Sequence, residues 1–409
     1  MSAFSGRSTV ATALVALALA APASGDDAFP LRGLGRPSFL VDATTEAAAG
    51  DSVDVAVSWQ VPVRELAFRA EDEVLRARYE IAVVFDRDGR QCAAELWERR
   101  VRLRTLAESH DQQRLSRGRR TVRLPQGEYE LRVSVTDRTS GASSTASANL
   151  DARARKSGIG LSDLRLVRYT KGGAEANPSH DVPLGETGHV VRAVVRSATG
   201  GEETVELRWK ISDPGGGVTL QGDSTVTVGT EPRTVDFALG TDRLAPGAHD
   251  VEVRVVGKGG GERRHLQLQA RLTPSWFTIH RGEALEILSL VAGDDDIGAL
   301  RAAEGTSWPD ALASFWKAHD PSPGTEDNEF IRDVEDRVET ATTLFVEPFR
   351  SPGWRTDRGR VWVRYGRPDR RSTSTGDFDR PGREVWEYDS PRRVFVFVDR
   401  GSGEYWLSG

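Results

Sequence analysis

The sequence predicts a mainly β chain: two tandem immunoglobulin-like β-sandwiches, then a C-terminal α+β domain in which helices pack on an antiparallel meander. Three observations carry this. Short stretches of strict apolar–polar alternation recur from about residue 36 to 272, punctuated by Gly, Pro and Asp. One motif in that region occurs twice without a gap. Beyond Pro274 the apolar spacing lengthens to three and four residues, before alternation returns near the end.

Residues 1–25 are expected to lie outside the fold. Arg7 is a short basic start, Val10 to Ala20 is an apolar run too short to span a bilayer, and Ala21-Pro22-Ala23 has the small-residue pattern of a cleavage site. This reads as a secretory signal peptide. No cysteine stands at the cleavage site to take a lipid, and no second apolar stretch is long enough to anchor the chain. The expected address is therefore the periplasm or the exterior, with no membrane span in the mature chain.

Composition fits that address. The only cysteine is Cys92, so no intramolecular disulfide forms and stability must come from packed cores. Cys92 is expected to be a small buried strand residue, the usual state of cysteine, against the other reading of a thiol that pairs with a second chain. The 409 residues leave room for several domains, and the formal net charge is −6. Arginine outnumbers lysine but is interspersed with Asp and Glu throughout, so no segregated basic face marks a nucleic-acid partner.

The first sandwich is placed at residues 36–154. Val53, Val55, Val57 and Trp59 alternate with polar or small residues, and Tyr79, Ile81, Val83 and Phe85 repeat the period. Asp86-Arg87-Asp88-Gly89 turns the chain back into a strand around Leu96 and Trp97. It reads as a hairpin because the remaining ligands of a calcium loop do not follow. Arg104 to Arg120 is polar and irregular, an expected exposed loop. His110 within it lacks a second ligand at metal spacing and reads as solvated. Arg153 to Gly158 has a linker's composition.

The second sandwich is placed at 158–272. Arg123 to Val135 lies over Arg243 to Val255 with Leu, a turn Gly, Tyr or His, and three alternating apolar residues coinciding. Gly215 to Gly217 and Gly259 to Gly261 are expected hairpin tips; neither precedes a helix, so neither cradles a phosphate.

Residues 274–409 form the expected α+β domain. Glu283 to Val291 suits a short helix, broken by a charged loop at Asp294-Asp295-Asp296. That run reads as a solvated turn or helix cap rather than a cation site. Ser307 or Trp308 is expected to cap a helix opened by Pro309 and stopped at Asp320-Pro321. Thr325 is expected to cap the next helix, with Glu326, Asp327 and Glu329 in its first turn. Phe330, Val334, Val338, Ala341 and Phe345 form one apolar stripe. Its expected partner is a meander of Val361 to Tyr365, Glu384 to Tyr388, Val394 to Val398 and Tyr405 to Leu407.

The densest mixture of glycine, aromatic and charged residues runs from Gly353 to Asp369. Asp357 to Gly359 has turn chemistry, Val361, Val363 and Tyr365 alternate as in a strand, and Gly366 to Asp369 closes it. The expected local structure is turn, strand, turn. Gly353, Trp354, Thr356 and Asp357 make this part of the chain resemble the GWxTD domain, a bacterial C-terminal domain. Upstream, Phe315-Trp316, Asp320-Pro321-Ser322-Pro323-Gly324-Thr325 and Asn328-Glu329-Phe330 extend the resemblance. Downstream, Tyr365-Gly366, Pro368-Asp369, Glu384-Val385-Trp386, Tyr388 and Phe395 to Asp399 do so. The chain departs from the family's Ala-Asn pair at Ala341-Thr342-Thr343. The resemblance implies a domain without a settled activity.

No nucleophile elbow, zinc-protease helix, paired Cys-x-x-Cys or phosphate loop occurs in the sequence. No cofactor or metal is expected. What remains is a polar cluster of His319, Asp320, Asn328, Glu329, Arg332, Thr356, Asp357, Arg358, Arg360 and Asp369. Two functions are set side by side. In the preferred one, an exported non-enzymatic binding or scaffold protein contacts a protein or glycan partner through Trp354, Thr356, Asp357, Arg358, Arg360, Asn328 and Asp320. In the other, a hydrolase of cell-wall or extracellular polymer uses Asp357 with His319 or Glu329 as its acid–base pair.

Overall fold

The computed structural model describes residues 29–46, 51–111, 114–153, 159–197, 201–229, 231–258, 260–325, 328–347, 352–376, 381–401 and 403–408. The expected signal peptide, linker residues 154–158, Gly259, Glu326 and Asp327 lie outside the described residues.

The first sandwich contains β1 (Leu31–Gly33), β2 (Phe39–Thr45), β3 (Ser52–Pro62), β4 (Arg69–Glu71), β5 (Val74–Arg87), β6 (Arg90–Leu103), a short α1 (Ala107–His110), β7 (Leu115–Pro125), β8 (Gly127–Asp137) and β9 (Ser143–Ala152). One sheet runs β1-β2-β3-β7; the other runs β4-β5-β8-β9, with β6 added on β5. Their inner faces close on Val55, Val57, Trp59, Tyr79, Ile81, Phe85, Leu131 and Val133, the residues of the expected alternation. The β5–β6 hairpin turns at Asp88 and Gly89, with φ of 52° and 72°. Two successive positive φ values match the strand twist, so Asp-Gly sits there.

The second sandwich contains β10 (Ile159–Leu161), β11 (Arg165–Thr170), β12 (Gly173–Ala176), β13 (Asp181–Pro183), β14 (His189–Ser197), β15 (Glu203–Ser212), β16 (Val218–Val228), β17 (Arg233–Ala238), β18 (Gly247–Gly257) and β19 (Gly260–Arg271). It repeats the first. β11-β14-β17 corresponds to β2-β3-β7, and β19-β18-β15-β16 to β9-β8-β5-β6. The repeated motif opens β8 and β18 at equivalent positions. Tyr129 Oη donates to the Pro125 carbonyl at 2.6 Å, and His249 Nε2 lies 2.7 Å from the Ala245 carbonyl. Burial holds the His249 pKa below its ordinary value, so a neutral imidazole donates where the first module uses a phenol.

The C-terminal region contains α2 (Pro274–Ile279), α3 (Arg281–Val291), α4 (Asp294–Ala302), α5 (Ser307–Ala318), α6 (Glu329–Leu344), α7 (Asp357–Tyr365), β20 (Arg370–Ser374), β21 (Arg383–Asp389), β22 (Arg392–Asp399) and β23 (Tyr405–Ser408). The terminal sheet runs β20-β21-β22-β23. This region and the second sandwich share one continuous core, from Val182, Leu184 and Leu272 to Trp276, Phe277, Phe345 and Trp386. α6 lies directly on β18. Glu339 on α6 accepts the Leu272 amide at 2.7 Å and pairs with Arg271, which also reaches Asp181 at 2.9 Å.

Several expectations are corrected. Val361 to Tyr365 is helical, and the first strand of the meander is β20 instead. Because α7 is covered on both sides, Arg358, Val361, Trp362 and Tyr365 follow one helical face while Gly359 and Val363 follow another. Together they imitate a two-residue period. The stripe of α6 is apolar as read, but it packs on α7, the adjoining turn and β18, meeting the sheet through Phe345 against Trp386. Asn328, not Thr325, caps α6, accepting from the Ile331 amide at 3.1 Å. Thr306 precedes α5, so Ser307 is its first residue; α2, capped by Thr273, was not foreseen. Asp294 to Asp296 are the first turn of α4 rather than a loop. Residues 115–120 belong to strand β7, paired along β3, and not to an irregular loop. Cys92 is exposed, because β6 is an edge strand with its first residues beyond the core.

One half-buried carboxyl makes this packing depend on pH. Glu335 precedes Glu339 by one turn of α6, and its Oε1 has no hydrogen-bond partner. Burial, then the charges of Glu339 and Asp336, push its pKa up to about 8 from 4.5. The folded chain therefore holds a proton that the unfolded chain releases above 4.5, and stability falls as pH rises from there through about 8. Glu335→Gln, which keeps the shape without the charge, is expected to stabilise the chain by about 2 kcal/mol at alkaline pH and to flatten this slope. Thermal midpoints of both chains between pH 5 and 8.5 test this, and parallel pH profiles contradict it.

Candidate functional site

The stretch Gly353 to Arg360 begins with a 3₁₀ turn, Gly353–Arg355, and continues into α7. Thr356 is the hinge between them. Its backbone is extended, and its buried hydroxyl donates to the Gly353 carbonyl at 2.8 Å while accepting from the Gly359 amide at 3.0 Å. A Cβ on Gly353 would stand 2.6 Å from the Ala341 carbonyl, and one on Gly359 only 2.1 Å from the Gly353 carbonyl. Backbone therefore presses on backbone at the end of α6 and at the start of α7, and only glycine fits at either place.

The side chains that follow are tied inward. Trp354 is buried in the shared core with the Arg355 guanidinium over its ring at 4.8 Å. Arg355 Nε also pairs with Glu286 at 3.0 Å. Asp357, in the first turn of α7, accepts the Leu407 amide of β23 at 2.8 Å and faces the positive end of the helix. Arg358 is 8% exposed. Its Nη2 reaches Glu347 at 2.9 Å, its Nη1 reaches Glu384 at 3.3 Å, and its plane covers Tyr405 at 4.0 Å. Glu384 is 1% exposed and also receives Trp386 Nε1 and Arg371. Two carboxylates and two guanidiniums thus share a site where an unmatched charge would be strongly unfavourable.

The remaining candidates occupy separate neighbourhoods. Asn328 joins helix cap to core, donating to the Trp316 carbonyl at 2.6 Å. Asp320 accepts the Ser322 amide at 2.9 Å, and Asp369 accepts the Asp389 amide at 2.7 Å. His319 ends α5, with Nδ1 2.9 Å from the Phe315 carbonyl, Nε2 3.3 Å from Asp296, and its ring between Phe315 and Phe330. Glu329 lies at the start of α6, 3.5 Å from the Thr325 hydroxyl, and its Oε2 is buried without a partner. Asp357 instead faces β23. Arg332 and Arg360 are exposed. The structure thus brings Thr356, Asp357 and Arg358 together around a structural lock, and leaves His319 and Glu329 outside it.

Sequence reasoning missed Glu347, Arg371, Glu384 and Tyr405. One signal was present: Glu384 shares an alternating face with Trp386 and Tyr388, and a carboxylate on an apolar face needs a buried cation.

The terminal sheet has a second face that no described helix or strand covers. Glu384, Trp386, Tyr388, Phe395 and Phe397 point to the helices, so Val385, Val394, Val396, Val398 and Trp406 point away. Val394 is 60% exposed. Arg400 stands over Trp406 at 5.1 Å, and Arg383 and Arg392, at strand ends on this same face, form no ion pair with the described residues.

Residues 280–402 match the GWxTD domain. No curated protein matches the chain. Among solved structures, red sea bream transglutaminase is similar at 9% identity over 56% of this chain and 31% of that one, with a TM-score of 0.17. A calcium-binding mutant of Bacteroides uniformis β-glucuronidase 2 is similar at 10% identity over 55% of this chain and 27% of that one, with a TM-score of 0.21. A Bacteroides uniformis β-glucuronidase is similar at 9% over 52% and 26%, with a TM-score of 0.22. The chain spans less than a third of each of these proteins, and similarity at this level carries no argument about function.

The lock makes a graded prediction for the full chain, the proper unit because the domain shares its core with the second sandwich. Asp357→Asn weakens one charge-assisted bond and is expected to cost about 1 kcal/mol. Arg358→Met removes the guanidinium that two buried carboxylates share and is expected to cost about 3–5 kcal/mol. Urea unfolding of the three chains measures both, and equal midpoints for wild type and R358M contradict the structural role.

Proposed function

We propose that this chain is an exported, non-enzymatic scaffold or binding protein of the bacterial envelope or exterior. Its paired sandwiches carry a C-terminal domain that engages a protein partner. The observation that carries this reading is the uncovered face of the terminal sheet. It combines exposed Val394 and half-buried Val385, Val396, Val398 and Trp406 with arginines that lack ion pairs. Such a mixture of valine, tryptophan and arginine suits an acidic and apolar protein surface better than a bare glycan.

Two further observations support it. Trp354, Thr356 and Arg358 are buried and internally bonded, so the motif builds the platform on which the sheet rests. The export part rests on the signal-like residues at the start of the sequence.

The test uses the tagged full chain expressed in a Gram-negative host. Expected are recovery in the periplasm or medium with the mature start close to Ala23, and a protein cross-linked in that compartment through residues of the terminal sheet. Val394→Asp, at a position that is already exposed, is expected to abolish the cross-link while leaving the thermal midpoint unchanged. Cytoplasmic retention with an intact start, or saturable hydrolysis of a cell-wall or extracellular polymer by the purified chain, overturns the reading.

A further inference from the structure

A cleft of about 660 Å³ opens between the two sandwiches, away from the C-terminal domain. This volume lies within the roughly 300–1,000 Å³ of small-ligand sites. Its walls are the end of β2, the β5–β6 turn, β8 and β9 on one side, and Asp163, His180 and β19 on the other. A fixed clamp holds these walls. Thr45 donates from its amide and its hydroxyl to Asp163 at 2.7 and 2.6 Å, and the Asp163 amide returns a bond to the Thr45 carbonyl at 3.0 Å.

Each carboxylate in the walls has a basic neighbour, some of them outside the walls. Glu128 and Asp151 both meet Arg153, at 2.6 and 2.7 Å. Asp163 meets Arg264 at 3.2 Å, and Asp42 lies 3.3 Å from His180. The cleft therefore offers no bare ion to neutralise. It offers carboxylate and guanidinium groups whose pairing fixes their direction and leaves acceptor and donor capacity over.

What the cleft lacks is neutral hydrogen bonding. Thr44 projects from the same face of β2 as Asp42, is 5% exposed, lines the cleft, and its Oγ1 has no partner. A buried hydroxyl left in this state costs about 1–3 kcal/mol. His180 is buried and turns Nε2 to Asp42, so it is already engaged within the wall. Asn149 and Gln267 add amides, and Phe29 adds a half-buried ring.

We propose that this cleft binds a neutral saccharide, two to four sugar units of an extracellular or cell-wall glycan. A polyol supplies closely spaced donors and acceptors for Thr44, Asn149 and Gln267 without displacing any existing ion pair, and its C–H face can rest on Phe29. An ammonium ligand would compete with Arg153 and Arg264 for their carboxylates. An anion would meet the carboxylates that outnumber the guanidiniums in the walls. The site is independent of the protein-binding face of the terminal sheet.

The test is calorimetric titration of the full chain with chitotetraose and maltotetraose, and with spermidine and inorganic phosphate as the charged comparisons. At least one of the two sugars is expected to bind, and the charged probes are not. Thr44→Val removes an unpartnered hydroxyl at constant shape, so it is expected to leave the thermal midpoint unchanged or raised while weakening sugar binding about tenfold. Asn149→Ala, at an exposed position, is expected to weaken it as well. Binding of neither sugar at millimolar concentration, binding of spermidine or phosphate instead, or sugar binding that both variants leave intact overturns the proposal.

Discussion

The constraint on which the C-terminal domain depends is the burial of Arg358. A guanidinium placed there must be surrounded by carboxylates or the helix that carries it will not dock. Glu347 comes from the segment after α6 and Glu384 from the inner face of β21, so satisfying one charge brings together pieces remote in sequence. The glycines supply the other half of the constraint. Gly353 lets the turn press on the carbonyls at the end of α6, and Gly359 lets α7 begin against that turn. Thr356 then joins turn to helix with one hydroxyl, and Asp357 joins helix to the last strand.

The same economy links the domains. The two sandwiches repeat one topology, and at their shared corner a tyrosine and a histidine make the same bond to a carbonyl four residues back. Donor geometry is kept there while the residue changes. The second sandwich differs in what it carries, because α6 lies along β18 and Thr342 approaches Gly247 so closely that a Cβ would stand 2.9 Å from its methyl. Thr342 is the α6 residue at this contact. Its hydroxyl turns back to the Val338 carbonyl at 2.7 Å, and its methyl serves the helix–sheet contact.

Legibility followed the range of the interactions involved. The hairpin at Asp88-Gly89, the repeated corner and the stripe of α6 are local, periodic signals, and each stands where the residues pointed. α7 was missed because its period is masked by cover on both sides. β7 was missed because its arginines look like loop composition until β3 is beside it. Cys92 was misjudged because exposure at an edge strand depends on where the sheet ends.

The candidate site divides in the same way. The density of special residue types from Gly353 to Asp369 is visible in the sequence alone, but sequence grouped Thr356, Asp357 and Arg358 with His319 and Glu329, which the structure places elsewhere. Their duties were decided by tertiary structure. Whether a carboxylate or a guanidinium is free for a partner depends on which opposite charge the fold brings to it, and Glu347, Glu384 and Leu407 are brought to this corner from other elements. The cleft between the sandwiches was decided wholly at that level. Its walls alternate like any strand in the sequence, and the Thr44 hydroxyl is seen to be buried without a partner only once the chain is folded.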